Sequence, residues 1–177
     1  MPRVLDPVNI LSDRFVGYKI GEVLTNGKGA KSARVESYGQ PVIFNLGERE
    51  QPVLSPFGAT SFGDEVNPRL TIEFTLDENQ AAHWNEFDKW TIRYLAEHSE
   101  RLLKRTLTID QVKESYKSPL YTIEGYRPHL RCKINTTGEK SRRAWNTNKD
   151  RIEMPPLRNV PCVPRITLSH LWIMSRD

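Results

Sequence analysis

The feature that most constrains the fold is a strand signal followed at once by a helix signal near the middle of the chain. Leu70 to Leu76 alternate apolar and polar residues without a break, which predicts a strand with one buried face. Asp77 follows directly, and Gln80 is placed as its capping-box partner, so a helix is predicted to begin at Asp77. A strand that leads straight into a helix indicates a mixed fold.

This helix is predicted to continue for about 25 residues, because apolar residues recur along it at steps of three and four. Its outer face carries charges of both signs, so we interpret the apolar face as an anchor on a sheet rather than as a base-stacking platform. A second, short helix is predicted from Thr108, with Gln111 as its capping partner. The residues of the long apolar face are Ala81, Trp84, Phe87, Thr91, Tyr94, Leu95, His98 and Leu102.

The rest of the chain has a β pattern. Before the helix, strands are predicted in Phe15–Ile20 and Pro41–Leu46. Two Phe-Gly steps, Phe57-Gly58 and Phe62-Gly63, are interpreted as turns with the phenylalanines in the core, and the alternative is that they place aromatic residues on a binding surface. After Leu120, apolar Leu130, Cys132 and Ile134 alternate with polar residues, and turns are predicted at Thr136–Glu139 and at Asn148–Asp150. A final strand is predicted from Arg165 to Met174, with Ile166, Leu168, His170 and Trp172 on one face.

These elements predict a β-rich α+β domain. The 177 residues suit a single domain, 1–177, in three parts. Residues 1–69 are a turn-rich β part, residues 70–118 hold a strand and the helices, and residues 119–177 are a basic β part.

Several protein classes are excluded by composition. The longest apolar runs fall well short of the roughly 18–20 residues of a membrane helix, and the first residues lack a signal-peptide core, so neither a membrane span nor a secretion leader is expected. Two cysteines are too few for a disulfide framework, which favours an intracellular reducing compartment without distinguishing nucleus, cytoplasm or organelle.

Enzymatic signatures are missing. The chain has no phosphate-binding loop, no dinucleotide fingerprint and no nucleophile elbow, and its four histidines show no metal-ligand spacing. Cys132 lies at an apolar strand position, so it is interpreted as a small core residue rather than a nucleophile. We therefore predict a protein without catalytic residues, metal or cofactor.

Charge is distributed unevenly along the sequence. Residues 126–177 hold 11 Lys/Arg and four Asp/Glu, a net charge of +7, whereas residues 1–125 hold 15 Lys/Arg and 18 Asp/Glu, a net charge of −3. Such an excess is typical of a polyanion-binding surface, although a solvated basic face without a ligand has the same composition. Both interpretations stay open on charge alone.

Cations and an aromatic residue are interleaved within this basic segment. Cations neutralise phosphates and an exposed ring stacks on bases, so the pattern suits single-stranded nucleic acid. The alternative is a basic hairpin whose Trp145 packs on its own sheet. The candidate nucleic-acid-binding residues are Arg131, Lys133, Lys140, Arg142, Arg143, Trp145 and Lys149.

Three stretches, His129–Asn135, Arg143–Ile152 and Pro164–Met174, resemble the C-terminal half of the OB-fold domain in single-stranded-DNA-binding proteins of large double-stranded DNA viruses and related phages. The resemblance covers less than a third of the chain. It implies an OB-like barrel with an inserted amphipathic helix and places Trp172 in the barrel wall. By the same resemblance, the residues facing the strand-binding groove are Lys133, Arg143, Trp145 and Lys149.

In that family the last strand continues into a further β element, and an acidic tail often follows. Because this sequence stops at Asp177, it is expected either to be truncated or to have its barrel completed by a protein partner at the C-terminal strand.

The sequence therefore predicts a non-catalytic protein that binds single-stranded DNA or RNA. The alternative is a structural or assembly subunit of a larger complex with no nucleic-acid role. The abrupt end, the aromatic helix and four prolines between residues 155 and 164 are compatible with that alternative.

Overall fold

The computed structural model describes residues 4–5, 17–60, 69–139 and 141–174. Strands make up 38% and helices 21% of the structure, in several largely antiparallel sheets and three helices within these ranges. The prediction of a β-rich α+β fold is confirmed. The described strands do not close into a barrel.

The strands are β1 (Val4–Leu5), β2 (Tyr18–Thr25), β3 (Lys31–Ser37), β4 (Gln40–Asn45), β5 (Ala59–Thr60), β6 (Arg69–Thr75), β7 (Leu120–Tyr121), β8 (His129–Asn135), β9 (Ala144–Trp145), β10 (Arg151–Ile152), β11 (Arg165–Leu168) and β12 (His170–Ile173). The helices are α1 (Glu78–Glu97), α2 (Ser99–Leu103) and α3 (Ile109–Ser115).

The chain divides into two compact units, each assembled from separate segments. Unit 1 consists of Met1–Leu46, Ala82–Ser118 and Pro164–Asp177. Unit 2 consists of Gly47–Ala81 and Pro119–Val163. The candidate nucleic-acid-binding residues that the structure describes all belong to unit 2.

Unit 1 contains a six-stranded sheet built around the β3–β4 hairpin. The two hairpin strands pair with each other only next to their turn, where Glu36 lies opposite Pro41 and Ser37 opposite Gln40. β11 runs antiparallel along β4, and β12 then runs antiparallel along β3. The C-terminal segment therefore joins the two arms of the hairpin, while β2 pairs with β3 and β1 with β4.

The prediction for the last strand is wrong beyond Leu168. Ser169 belongs to neither β11 nor β12, and its carbonyl accepts the N–H of Val35 at 3.1 Å. This break moves the inward-facing positions to Leu171 and Ile173, so His170 and Trp172 face outward. Trp172 is 53% exposed, which corrects the expectation that it lies within the wall of the sheet.

The long aromatic helix packs in unit 1 as predicted. In α1, the Trp84 ring lies 5.6 Å from that of Phe44 on β4. The rings of Phe87 and Trp90 lie 6.3 Å and 5.9 Å from that of Tyr18 on β2. Burial of Trp84 and Phe87 confirms that the apolar face is a core face rather than a base-stacking platform.

The helix boundaries follow from local capping. The Asp77 N–H donates to Gln80 Oε1 at 3.0 Å and the Gln80 N–H donates to Asp77 Oδ1 at 2.7 Å, the predicted capping box. An equivalent box at Thr108 and Gln111 begins α3. The predicted continuous helix is interrupted at His98, which separates α1 from α2.

Unit 2 contains a four-stranded antiparallel sheet in the order β5–β6–β8–β7. Its central pair aligns Ile72 with Cys132 and Phe74 with Leu130 on the apolar face. Thr71 opposes Lys133 and Glu73 opposes Arg131 on the other face. The alternation predicted for β6 and β8 is confirmed by this register.

No helix in the described part of the chain is both long and apolar enough to cross a membrane.

Candidate nucleic-acid interface

The first group of candidate residues lies on β8. Arg131 and Lys133 are both exposed on the polar face of the unit 2 sheet. Leu130 is buried on the opposite face and Cys132 is half-buried there, as alternation requires. The two cations therefore share a surface, as the sequence predicts.

Glu73 compensates the charge of Arg131. Arg131 donates from Nε to Glu73 Oε1 at 2.9 Å, and its Nη2 forms an ion pair with the same oxygen at 2.9 Å. Tyr121 donates its hydroxyl to Glu73 Oε2. Burial raises the pKa of Glu73, but the hydrogen bonds from Tyr121 and Arg131 and the charges of Arg131 and His129 outweigh it, so that the net pKa is lowered. The carboxylate is thus ionised and pairs with the guanidinium at neutral pH.

Lys133 has no carboxylate partner among the described residues. Its Nζ donates to Thr71 Oγ1 at 2.6 Å, and a hydroxyl group does not neutralise an ammonium group. Of the two cations on β8, Lys133 is therefore better suited than Arg131 to neutralise a phosphate.

The second group lies on a separate two-stranded hairpin, β9–β10. Trp145 lies directly opposite Arg151, and Ala144 opposite Ile152. Trp145 is 56% exposed, so its ring does not pack in a core. The alternative interpretation, a basic hairpin whose Trp145 packs on its own sheet, stays open.

The hairpin loop is held by Asn146. Its Oδ1 accepts the N–H groups of Asn148 and Asp150, each at 2.9 Å, and its Nδ2 donates to Asp150 Oδ2 at 3.1 Å. Lys149 takes a left-handed conformation with φ of 69°. This Asx-type loop sets the register that brings Arg151 beside Trp145.

The other cations of the hairpin and its approach lie within four residues of Trp145 in the sequence. Arg142, Arg143 and Lys149 are exposed, and within the described ranges none of them forms an ion pair. Arg143 donates from Nη2 to the backbone carbonyl of Glu139, at 3.3 Å. Lys140 lies outside the described residues.

The structure separates the candidate residues into two groups. Arg131 and Lys133 belong to the four-stranded sheet, whereas Arg142, Arg143, Trp145 and Lys149 belong to the hairpin or its approach. The groups are joined where the Arg142 N–H donates to the Asn135 carbonyl at 2.9 Å. Their assignment as a binding site stays a prediction.

The three stretches that carry the family resemblance also lie in different sheets. His129–Asn135 forms β8, Arg143–Ile152 contains the β9–β10 hairpin, and Pro164–Met174 contains β11 and β12 of unit 1. They do not form one barrel within the described residues.

For one aromatic residue near this surface, the sequence favours the core and leaves an exposed position as the alternative. Phe57, expected in the core, is 60% exposed, and its ring lies 6.4 Å from that of His129 on the polar face of β8. Phe62 and Gly63, of the second Phe-Gly step, lie outside the described residues. The sequence signal for an exposed Phe57 is the step Phe57-Gly58, because a side chain at a turn can be either exposed or buried.

Cys132 is an unreactive thiol on the apolar face. Burial raises its pKa to about 12, so almost no thiolate forms at neutral pH. This agrees with its interpretation as a small core residue. Within the described residues, no group of three or more His, Cys, Asp or Glu side chains is arranged to hold a metal ion.

Comparison with known proteins adds no relative: no protein-family model, no curated protein and no solved structure matches the chain.

Proposed function

We propose that the protein binds single-stranded nucleic acid without catalysis, with the β9–β10 hairpin as the principal contact. The observation that carries the proposal is the exposed ring of Trp145 directly opposite Arg151. A ring that is open to solvent offers a stacking surface to any base. The neighbouring guanidinium supplies a positive charge for phosphate.

The electrostatics of the hairpin support the same proposal. Arg142, Arg143, Lys149 and Arg151 are exposed, and exposed cations without carboxylate partners release counterions when they meet phosphates. Single strands suit this surface better than duplexes, because a duplex hides the faces of its bases. Single-stranded DNA and RNA both offer exposed base faces and phosphates, so either can be the ligand.

The architecture implied by the family resemblance is part of the proposal. In unit 1, β1 pairs only with β4 and β2 only with β3 among the described strands, and α1 packs against this sheet, so an OB-like barrel with an inserted helix would require β1 and β2 to meet.

The test is fluorescence anisotropy with a labelled oligothymidylate and a matched duplex at low and physiological salt. We expect tighter binding to the single strand and a steep loss of affinity with salt. The double variant Arg142→Ala/Arg143→Ala should weaken binding and reduce the magnitude of the salt slope by about 1.4, the value for two lost phosphate contacts on a single strand.

A matched control removes two exposed lysines from the other unit. Lys113→Ala/Lys117→Ala changes the net charge by the same amount at positions that are also exposed. The control should leave the slope unchanged. Equal slopes in both double variants would reject the hairpin as the phosphate-binding surface.

A second candidate function, a structural or assembly subunit, is favoured by an apolar row in unit 1. Leu24 and Trp172 both lie opposite Ser32 on β3, and both are exposed, as is Met174. The expected partner is a protein that covers these apolar side chains. The alternative is a partner that completes the sheet at the C-terminal strand. A complex of fixed stoichiometry, free of nucleic acid and lost in Trp172→Ser, would support this function over the first.

A further inference from the structure

Four planar groups lie in a row on the polar face of the unit 2 sheet. The ring centre of Phe57 lies 6.4 Å from that of His129, with an angle of 32° between the planes. The His129 ring centre lies 5.6 Å from that of Tyr121. The central guanidinium carbon of Arg131 then lies 5.0 Å from the Tyr121 ring centre, a cation–π distance.

Phe57 begins this row with a ring that is open to solvent. A phenylalanine side chain is usually buried, whereas this one is 60% exposed. Its inner neighbour His129 is largely covered, with a side chain 13% exposed. The row therefore has a supported inner part and an accessible outer ring.

The turn that carries Phe57 is anchored on both sides. Ser55 is fully buried, and its Oγ accepts the N–H of Gly58 at 3.1 Å. Gly58 has a φ of +69°, and a Cβ there would lie 3.1 Å from the backbone nitrogen of Arg158. This close approach requires glycine, so the ring is held in place by the fold rather than on a free loop.

Arg131 is also held in a fixed orientation. The Glu73 carboxylate binds it through a hydrogen bond from Nε at 2.9 Å and an ion pair with Nη2 at 2.9 Å, and is itself only 15% exposed. Because this pair is neutral overall, the guanidinium contributes a planar surface rather than a phosphate-neutralising charge. Lys133, two residues along β8, supplies positive charge on the same face.

We propose that this face is a second base-binding surface, on which an unpaired base stacks on Phe57 while Lys133 contacts a phosphate of the same strand. His129 and Lys133 are four residues apart on β8, about 13 Å along the strand. More than one nucleotide is therefore needed to reach from the ring beside His129 to Lys133. The proposal rests on the proposed function, since it extends the contact surface beyond the hairpin. Glu73 acts as a positioning residue for Arg131.

The first test measures affinity for oligothymidylates of increasing length by fluorescence anisotropy. Wild-type protein should gain affinity once the oligonucleotide is long enough to reach both surfaces. Phe57→Ala should lose that gain, by about 5- to 150-fold, the range for one stacked base. Phe57→Tyr, which keeps the ring, should retain it.

The second test uses Glu73→Gln, which removes a negative charge from the surface. If Arg131 acts as an oriented plane, affinity for the long oligonucleotide should fall despite the more favourable net charge. A rise in affinity would show that only charge matters and would overturn the role of the row. Circular dichroism and thermal unfolding verify that each variant is folded.

The outcomes separate this proposal from the proposed function. Loss of binding in Trp145→Ala, together with wild-type affinity of Phe57→Ala at every length, would reject the second surface and leave the hairpin contact intact. Failure of the wild-type protein to bind any oligonucleotide would reject both.

Discussion

Trp145 and Arg151 lie directly opposite each other across the β9–β10 hairpin, with the tryptophan ring exposed to solvent. Side chains in such a pair are separated by about 5 Å at their Cβ atoms. An aromatic plane and a guanidinium group at this spacing match the alternation of base and phosphate along a single strand. Neither side chain is needed to fill a core, so binding and stability can be tested separately at this position.

Trp145→Ala should weaken binding of a single-stranded oligonucleotide by about 1–3 kcal/mol and leave the melting temperature nearly unchanged. Its fluorescence should be quenched when the oligonucleotide binds. Because Trp84, Trp90 and Trp172 also emit, the quenching must disappear in the variant to be assigned to Trp145. A lower melting temperature with intact binding would contradict the stacking role.

Trp84→Ala should lower the free energy of unfolding by about 3–5 kcal/mol, because the ring is buried against Phe44 and leaves a cavity. Urea unfolding measures the change. Trp172→Ala is the matched control, since the Trp172 ring is exposed and its loss should cost far less. Similar losses in the two variants would show that burial does not account for the contribution of Trp84.

Asp88 should make stability depend on pH. Burial raises its pKa above the ordinary value of 3.8, although hydrogen bonds from Ser118 and Tyr116 oppose the rise. The folded state therefore binds the proton more tightly than the unfolded chain. The contribution of Asp88 to stability is greatest below pH 3.8 and declines as pH rises through the window between that value and the raised one.

Unfolding in urea at a series of pH values, from about 4 to 7, checks this sign. As the pH rises through the window, the wild type should lose unfolding free energy relative to Asp88→Asn. A constant difference would show that Asp88 titrates alike in the folded and unfolded states.

Cys132 should react slowly with a thiol reagent in the folded protein. Burial raises its pKa to about 12 and also raises the pKa of Cys162. The thiolate is the reactive form, so both thiols should be modified rapidly only after unfolding. The rate with a disulfide reagent, measured with and without urea for Cys132→Ser and Cys162→Ser, assigns each thiol. Rapid modification of Cys132 in the native protein would contradict its place in the core.

The sequence pattern places Cys132 on an apolar strand face, but it does not indicate that Asp88 is buried. Asp88 follows Phe87 of the apolar face of α1, and Tyr116 donates to its Oδ1 at 2.7 Å from beyond α3. A carboxylate on a helix tolerates burial only when distant donors reach it. Those donors come from a segment 28 residues away, which local pattern does not reveal.

The sequence by itself determined the elements whose signals are local. Asp77 and Gln80 define the start of α1, and the alternation in β6 and β8 assigns Ile72 and Cys132 to one face and Lys133 to the other. These features depend on residues within a few positions of one another. Backbone geometry therefore sets which residues share a face without reference to distant parts of the chain.

Only the tertiary structure decided which faces met which neighbours. The break at Ser169 turned Trp172 outward, and the anchored turn at Ser55 and Gly58 turned Phe57 outward. A displacement of one residue in a strand moves every following side chain to the opposite face. Whether such a displacement occurs depends on pairing with distant strands, as when the Val35 N–H donates to the Ser169 carbonyl. The exposure of these rings is therefore a property of the folded chain.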